Sequence, residues 1–113
     1  MSKYNNVKTN GYDSKKEAKR ASELKLLQQT GFVSELKEQV KYILIPKQYE
    51  FVNDKKVCIR ECSYIADFTY WSHFPSGAVG FVVEDCKGFK TEVYKIKKKL
   101  MLHLYNIKIK ETW

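Results

Sequence analysis

The sequence predicts one α+β domain in which a helix, several antiparallel strands, a second helix and a final strand follow one another. Two observations predict this order. Apolar residues recur at helical spacing near both ends of the chain, and the stretch between them consists of short apolar runs broken by turn residues. The length of 113 residues is sufficient for one hydrophobic core. We expect a flexible basic arm over residues 1–11 and a single domain over residues 12–113.

The first helix is predicted to begin after Ser14, because Ser14 and Glu17 have the spacing of a capping box. Gly31 is expected to end this helix, since glycine readily adopts the backbone conformation found after the last helical turn. The apolar stripe of the helix consists of Ala18, Ala21, Leu24 and Leu27. Lysines and one arginine cover its other faces, so the helix is predicted to pack one side on a sheet.

The middle of the chain has the composition of β-strands. The predicted strands are 40–45, 49–52, 57–71 and 79–87. Residues 32–39 are a transition segment, Pro46 stops the first strand, and residues 53–56 form a hairpin turn. The run from 57 to 71 is long for one strand, so we expect a bend or bulge near residues 61–63.

The second helix is predicted from about Thr91 to Tyr105. Its apolar stripe consists of Val93, Ile96, Leu100 and Leu104. Asn106 is expected to end the helix, and residues 107–110 alternate like an edge strand with a charged outer face. The chain therefore ends, in this prediction, on a strand that returns to the sheet.

The charge of the chain favours a polyanionic partner. Lysine and arginine number 21 against 13 acidic residues, which gives a net charge of +8. Such an excess is typical of nucleic-acid binding through phosphate contacts, although solvated surface lysines are the alternative explanation.

The apolar runs and the cysteines argue against a membrane protein, a secreted protein and a protein with disulfides or a zinc site. No apolar run approaches the roughly 18 residues that a membrane span needs, and the first residues lack a secretory core, so we expect a cytosolic protein. The three cysteines, with His73, match no usual zinc spacing. We therefore predict buried structural thiols rather than disulfides or a zinc site.

Two acidic residues lie inside apolar strand runs. Asp67 stands in YIADFTY and Asp85 in VGFVVEDC, where an ionised carboxylate is costly unless it is paired or bound to a cation. If the intervening turn pairs Trp71 with Val79, Asp67 lies diagonal to Asp85, and a slip of two residues places them directly opposite. In both registers the two carboxylates converge on one side of the sheet.

Further candidates surround this pair. Lys87 shares strand parity with Asp85, whereas Glu84, which competes for the role of second acid, points the opposite way. Glu17 on the first helix can supply a third carboxylate. Hard oxygen ligands hold Mg²⁺, which polarises a phosphate, and a neighbouring lysine can stabilise the charge that develops. Each residue alone also has a structural explanation: helix capping by Glu17, acceptance of backbone amides by Asp67 at a strand end, or a surface ion pair of Asp85 with Lys87.

Glu17, Asp67 within IADF, and the D-x-K formed by Asp85 and Lys87 resemble the motif of the PD-(D/E)xK nuclease superfamily. The order of elements is also similar to that superfamily's core. The stretches YDSKKEAKR, YIADFTY and VVEDCKGFKTEVYKIKKKL resemble small phage-encoded proteins assigned to it, over Tyr12–Glu111. The resemblance implies a restriction-endonuclease-like core with a mixed central sheet flanked by helices.

The resemblance further implies a Mg²⁺- or Mn²⁺-dependent endodeoxyribonuclease that acts on branched DNA, as phage junction-resolving enzymes do. Carried over by position, Asp67 and Asp85 are the metal ligands, Lys87 is the catalytic lysine, and Glu17 is the helix carboxylate of the same site. One departure is that Ala66 replaces the proline that often precedes the first acid.

The implied partners are DNA and a second copy of the chain, in the host cytoplasm if the protein is phage-encoded. The predicted phosphate contacts are Lys15, Lys16, Lys19, Arg20, Lys90, Lys95, Lys98 and Lys99, together with the basic arm. Such contacts position a protein on DNA without reading sequence. The alternative function is a non-catalytic DNA- or RNA-binding module that retains the nuclease fold.

Overall fold

The computed structural model describes residues 14–112, so the arm predicted over residues 1–11 lies outside the described part of the chain. The elements are α1 (Lys15–Gln29), β1 (Val33–Ile45), β2 (Gln48–Val52), β3 (Lys55–Ile59), β4 (Cys62–His73), β5 (Val79–Cys86), α2 (Glu92–Tyr105) and β6 (Lys110–Thr112). The fold is therefore α+β, with a mixed sheet and two helices, as the sequence predicted. Neither α1 nor α2 is long and apolar enough to cross a membrane.

Both helices begin and end at residues that the sequence marks. The Ser14 side chain accepts a hydrogen bond from the Glu17 N–H at 3.1 Å, and the Thr91 side chain accepts one from the Tyr94 N–H at 3.0 Å. Asn106 follows α2 with a left-handed backbone (φ 56°), a conformation that asparagine tolerates. The predicted caps Ser14 and Asn106 are confirmed, and Thr91, near which the second helix was predicted to begin, is its N-cap residue.

β1 is longer than predicted. The segment 32–39, which we expected to be a transition, contributes most of its residues to a strand that starts at Val33. Glu35 and Gln39 both have positive φ, and the pairing with β4 shifts by one residue between Ser34 and Lys37. These irregularities break the alternation of side chains. The prediction was wrong because it relied on that alternation.

The long run from 57 to 71 is two strands rather than one bent strand. β3 ends at Ile59 and β4 begins at Cys62, close to the predicted break. β3 pairs with β2 in a separate hairpin whose turn residues Asn53 and Asp54 have φ of 52° and 65°. Asparagine and aspartate tolerate this conformation, which the favoured two-residue hairpin turn requires. The predicted hairpin turn is confirmed.

The four-stranded sheet has the order β1-β4-β5-β6. β4 pairs antiparallel with β1 and β5, whereas β6 pairs parallel with β5 at the sheet edge. A parallel neighbour needs a crossover, and α2 supplies it between β5 and β6. The last strand is an edge strand as expected, but it begins at Lys110 rather than at residue 107.

The hydrophobic core has two clusters that meet along β4. The cluster beneath α1 consists of Ala21, Leu24, Val33, Phe68 and Tyr70. The cluster beneath α2 consists of Leu44, Tyr64, Ala66, Val83, Tyr94, Met101 and Ile109. β4 gives Ala66 to one cluster and Phe68 to the other, so Asp67 lies at the boundary between them.

Candidate active site

The pairing of β4 with β5 brings the two predicted strand acids to facing positions. Thr69 pairs with Val83 and Phe68 with Glu84, so in the same register Asp67 comes opposite Asp85. The register in which Trp71 pairs with Val79 was wrong, because Trp71 pairs with Phe81. The observed register is the two-residue slip that the sequence also allowed.

The backbone ladder between β4 and β5 stops at this point. Beyond the pair of Phe68 and Glu84, the Asp67 Oδ2 atom accepts the backbone N–H of Cys86 at 2.9 Å. β5 meanwhile continues its pairing with β6 over Glu84–Cys86. The side chain of Asp67 therefore takes the place of a backbone carbonyl where the two strands separate.

Asp85 is almost fully buried, with 1% of its surface exposed. The Tyr64 hydroxyl donates a hydrogen bond to its Oδ2 atom. The Lys87 Nζ atom lies 3.3 Å from its Oδ1 atom. Within the described residues this Oδ1 atom has no hydrogen-bond partner, although it is fully shielded from solvent. The Lys87 ammonium group is the ionic partner of this buried carboxylate oxygen.

Glu17 approaches the strand acids from α1 through Gln39. Glu17 is 6% exposed, and the Gln39 Nε2 atom donates to its Oε2 atom at 3.2 Å. The same nitrogen lies 3.5 Å from the Asp67 Oδ1 atom. The helix cap is the bond from the Glu17 backbone N–H to the Ser14 hydroxyl. The carboxylate of Glu17 accepts a hydrogen bond from Gln39 instead.

The three carboxylates are close enough to affect one another. Burial, together with the negative charges of Asp85 and Glu17, raises the pKa of Asp67 to about 7, although the hydrogen bond from the Cys86 N–H acts in the opposite direction. The ionised carboxylate of Asp67 therefore lowers the stability of the fold, and a bound cation would remove this destabilisation.

Lys87 lies between the buried acid and a surface cleft. Its side chain is 30% exposed, and its Nζ atom is 4.7 Å from the centroid of the Tyr94 ring. The cleft has a volume of about 320 Å³ and is lined by Ser63, Tyr64, Ile65, Lys87, Thr91, Val93, Tyr94 and Lys97. A ligand in this cleft would meet the ammonium group next to Asp85.

The donor set fits a hard divalent cation. Glu17, Asp67 and Asp85 offer carboxylate oxygens, the ligands that Mg²⁺ and Mn²⁺ prefer, and one of these oxygens is buried without a hydrogen bond. As the side chains stand between residues 14 and 112, no three acidic, His or Cys groups are already gathered for a metal ion. Tyr64, Gln39 and Lys87 instead contact the carboxylate oxygens.

The three cysteines are not gathered with other Cys, His, Asp or Glu side chains into a group of three or more within the described residues. All three are free thiols, and only Cys62 and Cys86 are partly buried. The expectation of buried thiols was wrong for Cys58, which is exposed on the β2–β3 hairpin. Cys58 is exposed because this hairpin does not join the four-stranded sheet.

Glu84 has a different role from its neighbour Asp85. It is fully buried, and Arg20 binds it through two hydrogen bonds of 2.6 and 3.0 Å. The hydroxyl groups of Tyr70 and Thr112 add bonds of 2.6 and 3.0 Å. Burial alone would raise the pKa of Glu84, but the bonds from Arg20 and Tyr70 lower it. This network joins α1 to β5 through Arg20, which follows Glu17 by three residues.

The predicted phosphate contacts differ in their surroundings. Arg20 is bound to Glu84, so its guanidinium is not the surface phosphate contact that the sequence suggested. Lys90 and Lys98 both pair with the Glu111 Oε1 atom, at 2.9 and 3.1 Å. Of the predicted contacts, those that are largely exposed on the helices are Lys15, Lys16, Lys19, Lys95 and Lys99.

Two residues of the site and one ion pair were not predicted from the sequence. Gln39 carried no signal, because it lies in the segment that we expected to be a transition and has a positive φ. Tyr64 stands three residues before Asp67, but nothing in its spacing indicates a contact with Asp85. The pairing of Arg20 with Glu84 had a weak signal, since a buried strand glutamate requires a cation.

The chain belongs to the family described as "Protein of unknown function (DUF1064)", whose model matches residues 1–113. Neither the curated proteins nor the solved structures contain a significant match to the chain. The family defines no activity, so function rests on the geometry of the site.

The raised pKa of Asp67 predicts a pH-dependent stability. The unfolded carboxyl titrates near pH 4 and the folded one near 7, so the native state binds more protons between these values and loses stability as the pH rises through them. We expect Asp67→Asn, in chelator, to be more stable than wild type by about 1–2 kcal/mol at about pH 8 and equal to it at about pH 4, because partial exposure screens part of the effect. Urea unfolding measures the difference.

Glu50→Gln, in the exposed hairpin, is the matched control and should show the same stability as wild type at both pH values. If the difference in unfolding free energy between Asp67→Asn and wild type is the same at every pH, the predicted repulsion between the carboxylates is wrong.

The ion pair of Arg20 with Glu84 predicts a loss of stability on its removal. Arg20→Ala leaves a buried carboxylate without its cation, which we expect to cost about 3 kcal/mol in urea unfolding. Lys19→Ala, on the exposed side of the same helical turn, should change stability by less than about 0.5 kcal/mol. If Arg20→Ala and Lys19→Ala are equally stable, the ion pair of Arg20 with Glu84 does not stabilise the fold as predicted.

Proposed function

We propose that the protein is a divalent-metal-dependent DNA endonuclease with a restriction-endonuclease-like core. The observation that carries the proposal is the meeting of Asp67 and Asp85 where β4 and β5 separate, with Glu17 directed to the same place. Lys87 stands 3.3 Å from Asp85 and borders the cleft. Carboxylates from two strands and a helix, with one lysine, match the donor set of metal-assisted phosphodiester hydrolysis.

In this proposal Asp67, Asp85 and Glu17 hold Mg²⁺ or Mn²⁺. The metal, when bound, polarises a phosphate oxygen and lowers the pKa of a coordinated water. Tyr64 holds the Oδ2 atom of Asp85, which leaves its Oδ1 atom facing Lys87. This arrangement orients the carboxylate before any ligand binds.

Lys87 is the residue that contacts the substrate. Its ammonium group is partly exposed in the cleft, and the Tyr94 ring beneath it limits its movement. A phosphodiester entering the cleft would therefore meet a fixed positive charge beside Asp85. That charge can stabilise the negative charge that develops on the phosphoryl group during hydrolysis.

The exposed helical lysines support DNA as the substrate. The net charge of +8 favours association with a polyanion, and lysines on both helices can contact phosphates without reading sequence. We extend the proposal to branched DNA because the sequence resembles phage junction-resolving nucleases. Because a junction must be cut on two strands, it includes a homodimer.

The second candidate is a nucleic-acid-binding module without catalysis. Between residues 14 and 112 the acidic side chains are held by Tyr64, Gln39 and Lys87 and do not already form a three-ligand metal group. A protein that only binds DNA or RNA would retain the charge and the fold with the acids in these contacts. Cleavage assays separate the two candidates.

The nuclease proposal predicts metal-dependent cleavage that requires Asp85. The purified protein should cut at least one of supercoiled, linear or four-way-junction DNA in Mg²⁺ or Mn²⁺ and none in chelator. Asp85→Asn should lose activity by about 100-fold or more, because it weakens metal binding without changing side-chain size. Gel electrophoresis measures the products.

Glu61→Gln is the control for carboxylate removal, since Glu61 is exposed and pairs with Lys41. It should cut like wild type. If wild type and Asp85→Asn are equally inactive on every DNA, the non-catalytic module replaces the nuclease.

A metal at the acids also predicts stabilisation of the fold. Mn²⁺ at about 100 times its dissociation constant should stabilise wild type by about 2.7 kcal/mol, which raises Tm by several degrees. Asp67→Asn should lose most of this shift, because it removes a ligand. Thermal unfolding with and without Mn²⁺ measures it, and an undiminished shift in the variant would place the metal elsewhere.

A further inference from the structure

The β2–β3 hairpin projects from the domain with its apolar side chains uncovered. β2 and β3 form a two-stranded sheet of their own, and every residue in both strands is exposed. Two-stranded hairpins are marginally stable without packing, so large exposed side chains on such an arm indicate a contact with something outside the domain.

The two faces of the hairpin differ in chemistry. Opposite residues of an antiparallel pair share a face, which places Tyr49 with Cys58 and Phe51 with Lys56. We call this the aromatic face, and it carries no acidic residue. The other face carries Gln48, Glu50, Val52, Lys55, Val57 and Ile59. Only the aromatic face combines rings with an unopposed positive charge.

Lysines flank the rings of the aromatic face. The Lys56 Nζ atom lies 4.2 Å and the Lys47 Nζ atom 5.7 Å from the centroid of the Tyr49 ring. Tyr49 is 50% exposed and Phe51 75% exposed. The two rings start from one strand about 7 Å apart, which suits two neighbouring bases. Exposed rings with lysines beside them are the usual platform for unpaired bases and their phosphates.

The hairpin is joined directly to the candidate active site. β3 ends at Ile59, and Ser63, four residues later, is the first residue of β4 that lines the cleft of Lys87. A strand of nucleic acid that leaves the cleft at this end can therefore reach the hairpin without crossing the domain.

We propose that the aromatic face of the hairpin binds the unpaired bases of single-stranded DNA, with Tyr49 and Phe51 stacking on bases and Lys47 and Lys56 contacting phosphates. This inference rests on the proposed function for the identity of the nucleic acid, and it narrows the substrate to DNA with an unpaired segment. A nucleic acid fits better than a second copy of the chain, because the face is cationic and the aliphatic residues lie on the other side.

The test measures binding in chelator, so that no cleavage occurs. The variant Tyr49→Leu/Phe51→Leu removes the rings but retains apolar side chains, and Val52→Thr/Val57→Thr on the other face is the matched control. Fluorescence anisotropy with a labelled single strand should show a loss of affinity of about tenfold or more in the first variant only. Binding of a blunt duplex should change by less than about twofold.

A second measurement uses the wild-type chain and does not depend on how the variants fold. Cys58 is exposed on the aromatic face beside Tyr49, so a saturating single strand should slow its alkylation by iodoacetamide. Mass spectrometry resolves this site from Cys62, which serves as the internal reference. The blunt duplex should leave the rate of Cys58 unchanged.

Three results would overturn the proposal. They are an equal loss of single-strand affinity in both variants, unchanged Cys58 alkylation with the single strand, and a dimer that becomes a monomer in Tyr49→Leu/Phe51→Leu while single-strand binding is retained. The nuclease proposal fails separately, if wild type and Asp85→Asn are equally inactive on every DNA. A hairpin that binds single strands in an inactive protein would support the hairpin proposal alone.

Discussion

The buried ion pair between Arg20 and Glu84 is the contact on which the arrangement of the candidate site depends. It joins α1 to β5, and the hydroxyl groups of Tyr70 and Thr112 bring β4 and β6 to the same carboxylate. Four elements thus meet at one side chain with no exposed surface. Because Glu17 precedes Arg20 by three residues, the position of its carboxylate follows from this pair.

The two neighbouring acids of β5, Glu84 and Asp85, have different roles because their surroundings differ. Glu84 is matched by a cation and hydroxyl donors, so its charge is stable in the interior. Asp85 keeps one buried oxygen without a hydrogen bond and faces the half-buried Asp67. A cluster of this kind costs stability in the folded protein, and such costs are typical of sites that bind ligands.

The helices and turns could be predicted from the sequence because their signals are local. Ser14, Thr91 and Asn106 act on amides and carbonyls a few residues away, and so does the turn at Asn53. β1 could not be predicted in full, since its bulge near Glu35 and the positive φ of Gln39 occur where it pairs with a strand about thirty residues further along.

For the site, the residue pattern alone established that Glu84 and Asp85 point to opposite faces of β5, because side chains alternate along any strand. Lys87 lies just beyond the last residue of β5, Cys86, and still pairs with Asp85 as the pattern predicted. The register that sets Asp67 opposite Asp85, the contacts of Gln39 and Tyr64, and the pairing of Arg20 with the buried Glu84 could be seen only in the folded protein. These depend on how distant segments pack, and a hairpin register shifted by two residues leaves the local pattern of the sequence unchanged.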